Sequence, residues 1–185
     1  MNKIFKFITI LFVVCCCAAP ASAKLNMFPK ARYIPELNFY DDNGKAYKLK
    51  DFKSELLMVV LWSRTCGPCI KDMAHLDKFA QKVKDKGIRV ILISPESEWK
   101  SVEERHIFMD RLLASHLESY VDKKANFMKG MGIFITPTVI LVNKKTQEAG
   151  QITGSAKWDD PDMVQYMLKL KAKILKELDK GESAN

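Results

Sequence analysis

Cys66 and Cys69 stand two residues apart in the stretch Leu61-Trp62-Ser63-Arg64-Thr65-Cys66-Gly67-Pro68-Cys69-Ile70. That spacing serves three chemistries: a metal clamp, a structural staple, or a couple that cycles between dithiol and disulfide. A zinc site needs two further ligands, and His75, His106 and His116 show no paired spacing to supply them. Covalent haem attachment needs a histidine directly after the second cysteine, where this chain has Ile70. A disulfide across two intervening residues closes too small a loop to stabilise much. The reversible couple is the best-supported reading, with no metal and no cofactor beyond the cysteine pair itself.

The start of the chain bears on that choice. Lys3 and Lys6 form a short basic region, Phe7 to Ala19 carry no charge, and Ala21-Ser22-Ala23 has the small-x-small pattern of a cleavage signal. Residues 1–23 are therefore expected to be a signal peptide. An uncleaved anchor and a lipoprotein processed at Cys15, Cys16 or Cys17 are the alternatives, the latter disfavoured by the bulky Phe12-Val13-Val14 before them. Cleavage removes 23 of 185 residues and two lysines, which leaves 162 residues and takes the net charge from +8 to +6. It also leaves Cys66 and Cys69 as the two cysteines of the mature chain. An exported protein meets an oxidising compartment, where such a pair can cycle. The remaining length is that of one domain. Its lysines are interspersed with acids, as in Lys169 to Lys173 followed by Glu177 and Asp179, so the charge reads as solvated surface and no nucleic-acid partner is expected.

Helix and strand patterns place the pair. Leu56 to Trp62 is a continuous apolar run, the signature of a strand covered on both faces. Pro68 then suits the first turn of a helix, with Gly67 permitting the sharp turn into it. Ile70, Met73, Leu76, Phe79, Ala80 and Val83 recur at helical spacing, and Lys86-Gly87 ends the helix. Ile88 to Ile93 is a second buried strand, parallel to the first. Upstream, residues 24–34 are an extended segment, and Asp41-Asp42-Asn43-Gly44 turns a small hairpin between Leu37 to Tyr40 and Ala46 to Leu49. Downstream, residues 97–132 read as mostly helical, with Val102, Met109 and Leu113 on one face and His106 beside them as a core or boundary residue. Val139 to Val142 and Gln147 to Thr153 form an antiparallel hairpin, and Met163 to Leu178 stripe a terminal helix. The expected architecture is α/β, a mixed central sheet flanked by helices.

Cys66 thus lies where a strand ends and helix amides converge, a place that lowers a thiol from about 8.5 to roughly 3.5–7.5. Cys69, one turn on, points toward the core. Cys66 is the expected nucleophile and Cys69 the resolving thiol. Arg64 and Lys71 flank the pair and could help hold a thiolate.

The strand, Trp62, Cys66-Gly67-Pro68-Cys69, the helix, the Thr136-Pro137 step and the closing hairpin and helix together resemble the thioredoxin superfamily. The N-terminal hairpin, helical insert and signal peptide resemble its TlpA-like branch of exported thiol-disulfide oxidoreductases, across residues 35–178, with the domain placed at 35–180. The resemblance implies that Pro137 is cis and adjoins the cysteines, and that the Thr136 backbone pairs with a bound chain like an added strand. It also implies that Asp72, where this branch usually has glutamate, tunes the cysteines and relays a proton for Cys69. An acid stabilising the helix dipole is the equal alternative. Trp62, Thr136 and Pro137 are the candidate substrate-binding residues, Trp62 chiefly through packing and shielding. Two departures stand out: Val60 occupies the place of a buried aspartate, and Thr65 that of a tryptophan.

The expectation is an exported protein-disulfide reductase or isomerase, recharged by a membrane-bound dithiol donor, with exported proteins as substrates and cytochrome c maturation as the leading specific role. The rivals are an oxidant of the same fold, a peptide-binding module whose cysteines stay locked, and, more weakly, a peroxidase.

Overall fold

Residues 23–183 are described in the structure, a computed structural model. The expected signal peptide, with Cys15 to Cys17 and its possible anchoring or lipidation, lies outside the described residues apart from Ala23. Among the described residues no helix is long and apolar enough to cross a membrane.

The two apolar runs become the centre of the sheet. β4 (Leu56–Leu61) is buried at every position, which requires cover on both faces. It pairs in parallel with β5 (Ile88–Pro95) and antiparallel with β7 (Thr138–Asn143), so Leu61 lies opposite both Ile93 and Thr138. Because strand side chains alternate, β4 divides its residues between two cores. Leu56, Met58 and Val60 pack with Met73, Leu76 and Phe79 of α1 (Gly67–Val83) and with Met167 and Ile174 of α4 (Pro161–Ser183). Leu57, Val59 and Leu61 face a second core containing Phe39, Phe52, Tyr120 and Phe127, whose rings meet at centroid distances of 5.2 to 5.5 Å. Each fully buried side chain of this size contributes roughly 1.5–3 kcal/mol.

Among the described residues the sheet has eight strands, in the order β1 (Lys24–Tyr33), β8 (Gln147–Thr153), β7, β4, β5, β6 (Glu118–Asp122), β2 (Phe39–Tyr40) and β3 (Ala46–Tyr47). β7 and β8 (Gln147–Thr153) form the expected antiparallel hairpin, and β2 (Phe39–Tyr40) with β3 (Ala46–Tyr47) forms the small one. In that turn Asp41 Oδ1 accepts the Asn43 and Lys45 amides at 2.9 Å each. The extended segment 24–34 is more than a lead-in, since β1 (Lys24–Tyr33) pairs with β8 as an edge strand of the same sheet. Its register slips between Met27 and Arg32, around Pro29, as suits a residue that cannot donate to a ladder.

The region expected to be mostly helical differs. α2 (Val102–Arg111) and the short α3 (Asn126–Gly130) are present, but between them β6 (Glu118–Asp122) pairs with β5 and β2. Five residues beginning with Glu118-Ser119 carry no apolar run, and distant partners make the strand. The apolar face of α2 is also rotated from expectation. Arg105 and Met109 are buried, whereas Val102 is 38% and Leu113 72% exposed, and Leu113 lies past the helix end with φ +55°. His106 faces outward and meets Asp42 Oδ2 at 2.7 Å, so it is neither a core nor a boundary residue.

Candidate active site

The chain leaves β4 through Trp62 and Ser63 and re-enters regular structure at Cys66, which is the N-cap of α1. The Cys66 amide donates to the Ser63 carbonyl at 3.1 Å, closing the turn that presents the sulfur. Pro68 in the first turn of α1 has no N–H to leave unpaired there. Cys66 and Cys69 are joined as a disulfide with Cα atoms 5.2 Å apart.

The two sulfurs are unequal. Cys66 is half-buried, whereas Cys69 is 1% exposed and packs into the α1 side of the core. The Cys69 amide donates to Cys66 Sγ at 3.2 Å, so the N-terminus of α1 offers an N–H where a Cys66 thiolate would carry its charge. Gly67 and Pro68 are exposed beside the pair. A Cβ added at Gly67 would meet nothing within 4 Å, and its φ lies outside the left-handed region. The glycine is therefore not needed for the turn, contrary to the sequence expectation; it keeps the surface beside Cys66 bare.

Thr136-Pro137 is a cis peptide bond. It directly precedes β7, whose Thr138 is in register with Leu61, and thus belongs to the sheet end from which the Cys66 loop departs. Pro137 is buried and its carbonyl accepts the Gly154 amide at 3.0 Å, while Thr136 is half-buried. Just before them, Phe134 and Ile135 are 79% and 66% exposed. Sequence reasoning passed over these two, although an apolar pair in a loop between Gly132 and Pro137 is itself a signal.

Trp62 is fully buried, stacked on Phe108 at 6.4 Å and tilted against Trp99 at 5.7 Å, and so presents no surface to a substrate. Its expected substrate-binding role reduces to packing. Asp72 is buried, and its carboxylate accepts the Ser155 hydroxyl and the Ala156 amide, the latter at 3.1 Å. These bonds tie α1 to the turn between β8 and α4, partners that spacing could not reveal. Val60 is a core residue. Arg64 turns away from the expected thiolate: Nη1 donates to Glu104 Oε1 and to the Glu98 carbonyl, both at 2.9 Å, and its guanidinium lies 5.0 Å from the Trp99 ring. Lys71 is exposed.

Each histidine meets an aspartate of another segment: His75 with Asp159, His106 with Asp42 and His116 with Asp77. Among the described residues no three metal-ligating groups converge.

The Redoxin family model matches residues 29–167. A thiol-disulfide oxidoreductase ResA of Bacillus thuringiensis subsp. konkukian is 24% identical over 157 residues, which cover 80% of this chain and 87% of that protein. The exposed lipoprotein thioredoxin of Streptococcus pneumoniae superimposes with a TM-score of 0.58 at 19% identity, covering 72% of this chain and 97% of that one. StoA of Bacillus subtilis does so with a TM-score of 0.57 at 16% identity, over 70% of this chain and 95% of its own. At those identities the structural likeness establishes a thioredoxin-like fold. A family match over most of the length, on that fold, means that the protein belongs to the Redoxin family.

Proposed function

We propose that this thioredoxin-like disulfide oxidoreductase works outside the cytoplasm, in the periplasm or an equivalent compartment, as a reductase or isomerase of disulfides in exported proteins. The single observation that carries the reading is the asymmetry of the pair, a half-buried Cys66 at the start of α1 and a buried Cys69 whose amide faces its sulfur.

In the reduced protein, the Cys66 thiolate attacks one sulfur of a substrate disulfide. A Cys66–substrate S–S bond forms, and the other substrate sulfur leaves as a thiolate and takes up a proton. Deprotonated Cys69 then attacks Cys66 Sγ, closing the Cys66–Cys69 disulfide and releasing the second substrate thiol. Two electrons have passed to the substrate, and no cofactor beyond the pair takes part. A membrane-bound dithiol donor runs the same exchange in reverse to restore the dithiol. Phe134 and Ile135 offer an apolar surface beside the Thr136-Pro137 step, where a partner chain would lie. Reduction of apocytochrome cysteines before haem attachment is the leading specific role, an analogy with the TlpA-like branch.

Insulin reduction by the processed chain, its Cys66→Ser form and its Cys69→Ser form tests the activity. Turnover is expected in the first and lost in both variants. Cys69→Ser, expressed in the cell envelope, should accumulate a mixed disulfide whose partner identifies the substrate. Equal behaviour of all three forms would leave a peptide-binding module in place of the enzyme.

A further inference from the structure

The loop that presents Cys66 is held partly from outside. Glu98, in the short helical turn Glu96–Glu98 after β5, reaches across with both carboxylate oxygens. Its Oε1 accepts the Ser63 hydroxyl at 2.6 Å and its Oε2 accepts the Arg64 amide at 2.8 Å. Ser63 Oγ in turn accepts the Thr65 amide at 3.2 Å and lies 2.8 Å from Thr65 Oγ1, while the Ser63 carbonyl takes the Cys66 amide. Arg64 closes the loop from the other side by donating to the Glu98 carbonyl and to Glu104. The turn bearing Glu98 is itself anchored, because the Trp99 amide donates to the Glu96 carbonyl and Trp99 Nε1 to the buried Ser94 hydroxyl.

We propose that Glu98 is a positioning residue for the nucleophile: its carboxylate clamps Ser63 and Arg64 so that Cys66 sits at the N-cap of α1, where the helix amides can stabilise its thiolate. The inference rests on the reading of Cys66 as the attacking thiol. Two effects of opposite sign are built into one side chain. A carboxylate charge near the loop disfavours a thiolate, whereas the clamp holds the Cys66 sulfur at the amides that favour one. Glu98→Gln removes the charge but keeps an acceptor for the Arg64 amide and an amide group that can donate to Ser63 Oγ. Glu98→Ala removes both bonds as well.

The test is the pH profile of Cys66 alkylation by iodoacetamide in the reduced full chain, with insulin turnover measured alongside. Glu98→Ala should move the alkylation midpoint up and slow the reaction at neutral pH by about threefold or more, since the thiolate is the reacting form. Glu98→Gln should stay within about twofold of the unaltered protein, with its midpoint unmoved or lower. Ser63→Ala, which removes the Oε1 partner and the hydroxyl that meets Thr65 but leaves the Oε2 bond to the Arg64 amide, should change in the direction of Glu98→Ala and by less, and it carries the test if Glu98→Ala does not fold. Midpoints that fall equally in Glu98→Ala and Glu98→Gln would overturn the clamp in favour of a simple charge effect, and an unchanged Glu98→Ala, or an unchanged Ser63→Ala, would overturn it outright. Alkylation needs no protein substrate. An unaltered protein that failed to reduce insulin would therefore sink the reductase reading while leaving the alkylation result to decide the clamp.

Discussion

The carboxylate of Asp72, on the first helix, accepts the backbone amide of Ala156 at 3.1 Å across 84 residues of sequence. Ser155 adds its hydroxyl to the other oxygen. Asp72 therefore joins the helix that carries both cysteines to the turn that starts the terminal helix. Replacing it with alanine strands a half-buried amide and hydroxyl, at a cost of about 1–3 kcal/mol in unfolding free energy by urea titration. Asp72→Asn keeps one acceptor and should cost about half as much. Loss of stability in both, graded in that order, is the expected result; an Asp72→Ala protein as stable as the original would show that the two bonds contribute nothing.

Trp62 is fully buried, and its Nε1–H has no hydrogen-bond partner among the described residues. Removing that N–H should therefore cost nothing in polar pairing. Trp62→Phe is expected to lose only the packing of the smaller ring, about 1–2 kcal/mol, whereas Trp62→Ala should lose about 3–5 kcal/mol. Equal losses in the two, measured by chemical denaturation, would mean that the N–H is paired after all.

Acid should loosen the contact between α2 and the loop before Cys66. Glu104 is held below the ordinary carboxylate value of 4.5 first by the Lys100 amide, which donates at 2.7 Å, and then by Arg64 at 2.9 Å. A carboxyl with a depressed folded-state value stabilises the fold above its unfolded value, and that contribution is lost as pH falls through the folded one. Descending pH should thus lower the urea midpoint with a steeper slope in the original chain than in Glu104→Gln. Parallel slopes would remove Glu104 from the account.

Gly67→Ala meets no steric obstacle and no forbidden backbone angle. Its melting temperature should match the original, with a stability change within about 0.5 kcal/mol. A methyl group beside Cys66 should instead slow insulin turnover more than it slows alkylation by small iodoacetamide, because the larger partner needs the bare surface. Equal slowing of both would place the glycine's effect in the loop and not at the partner.

Local chemistry carried a long way here. Two cysteines separated by Gly67-Pro68, between a wholly apolar run and a 3.6-periodic stripe, determine a reactive pair at a strand-to-helix junction, because burial and periodicity are written in consecutive residues. The β7–β8 hairpin and α4 follow from the same kind of pattern. Features built from distant partners were decided only by the tertiary structure. β6 exists because β5 and β2 flank it, although its own residues carry no apolar run. The face that α2 buries is set by what lies beneath Arg105 and Met109, not by the spacing of its apolar residues. Glu98 and Ser155 had no motif to announce them, since their meaning is a hydrogen bond to a residue 35 or 83 positions away. Sequence alone could name the sulfurs; which groups hold them in place depended on chain segments that only folding brings together.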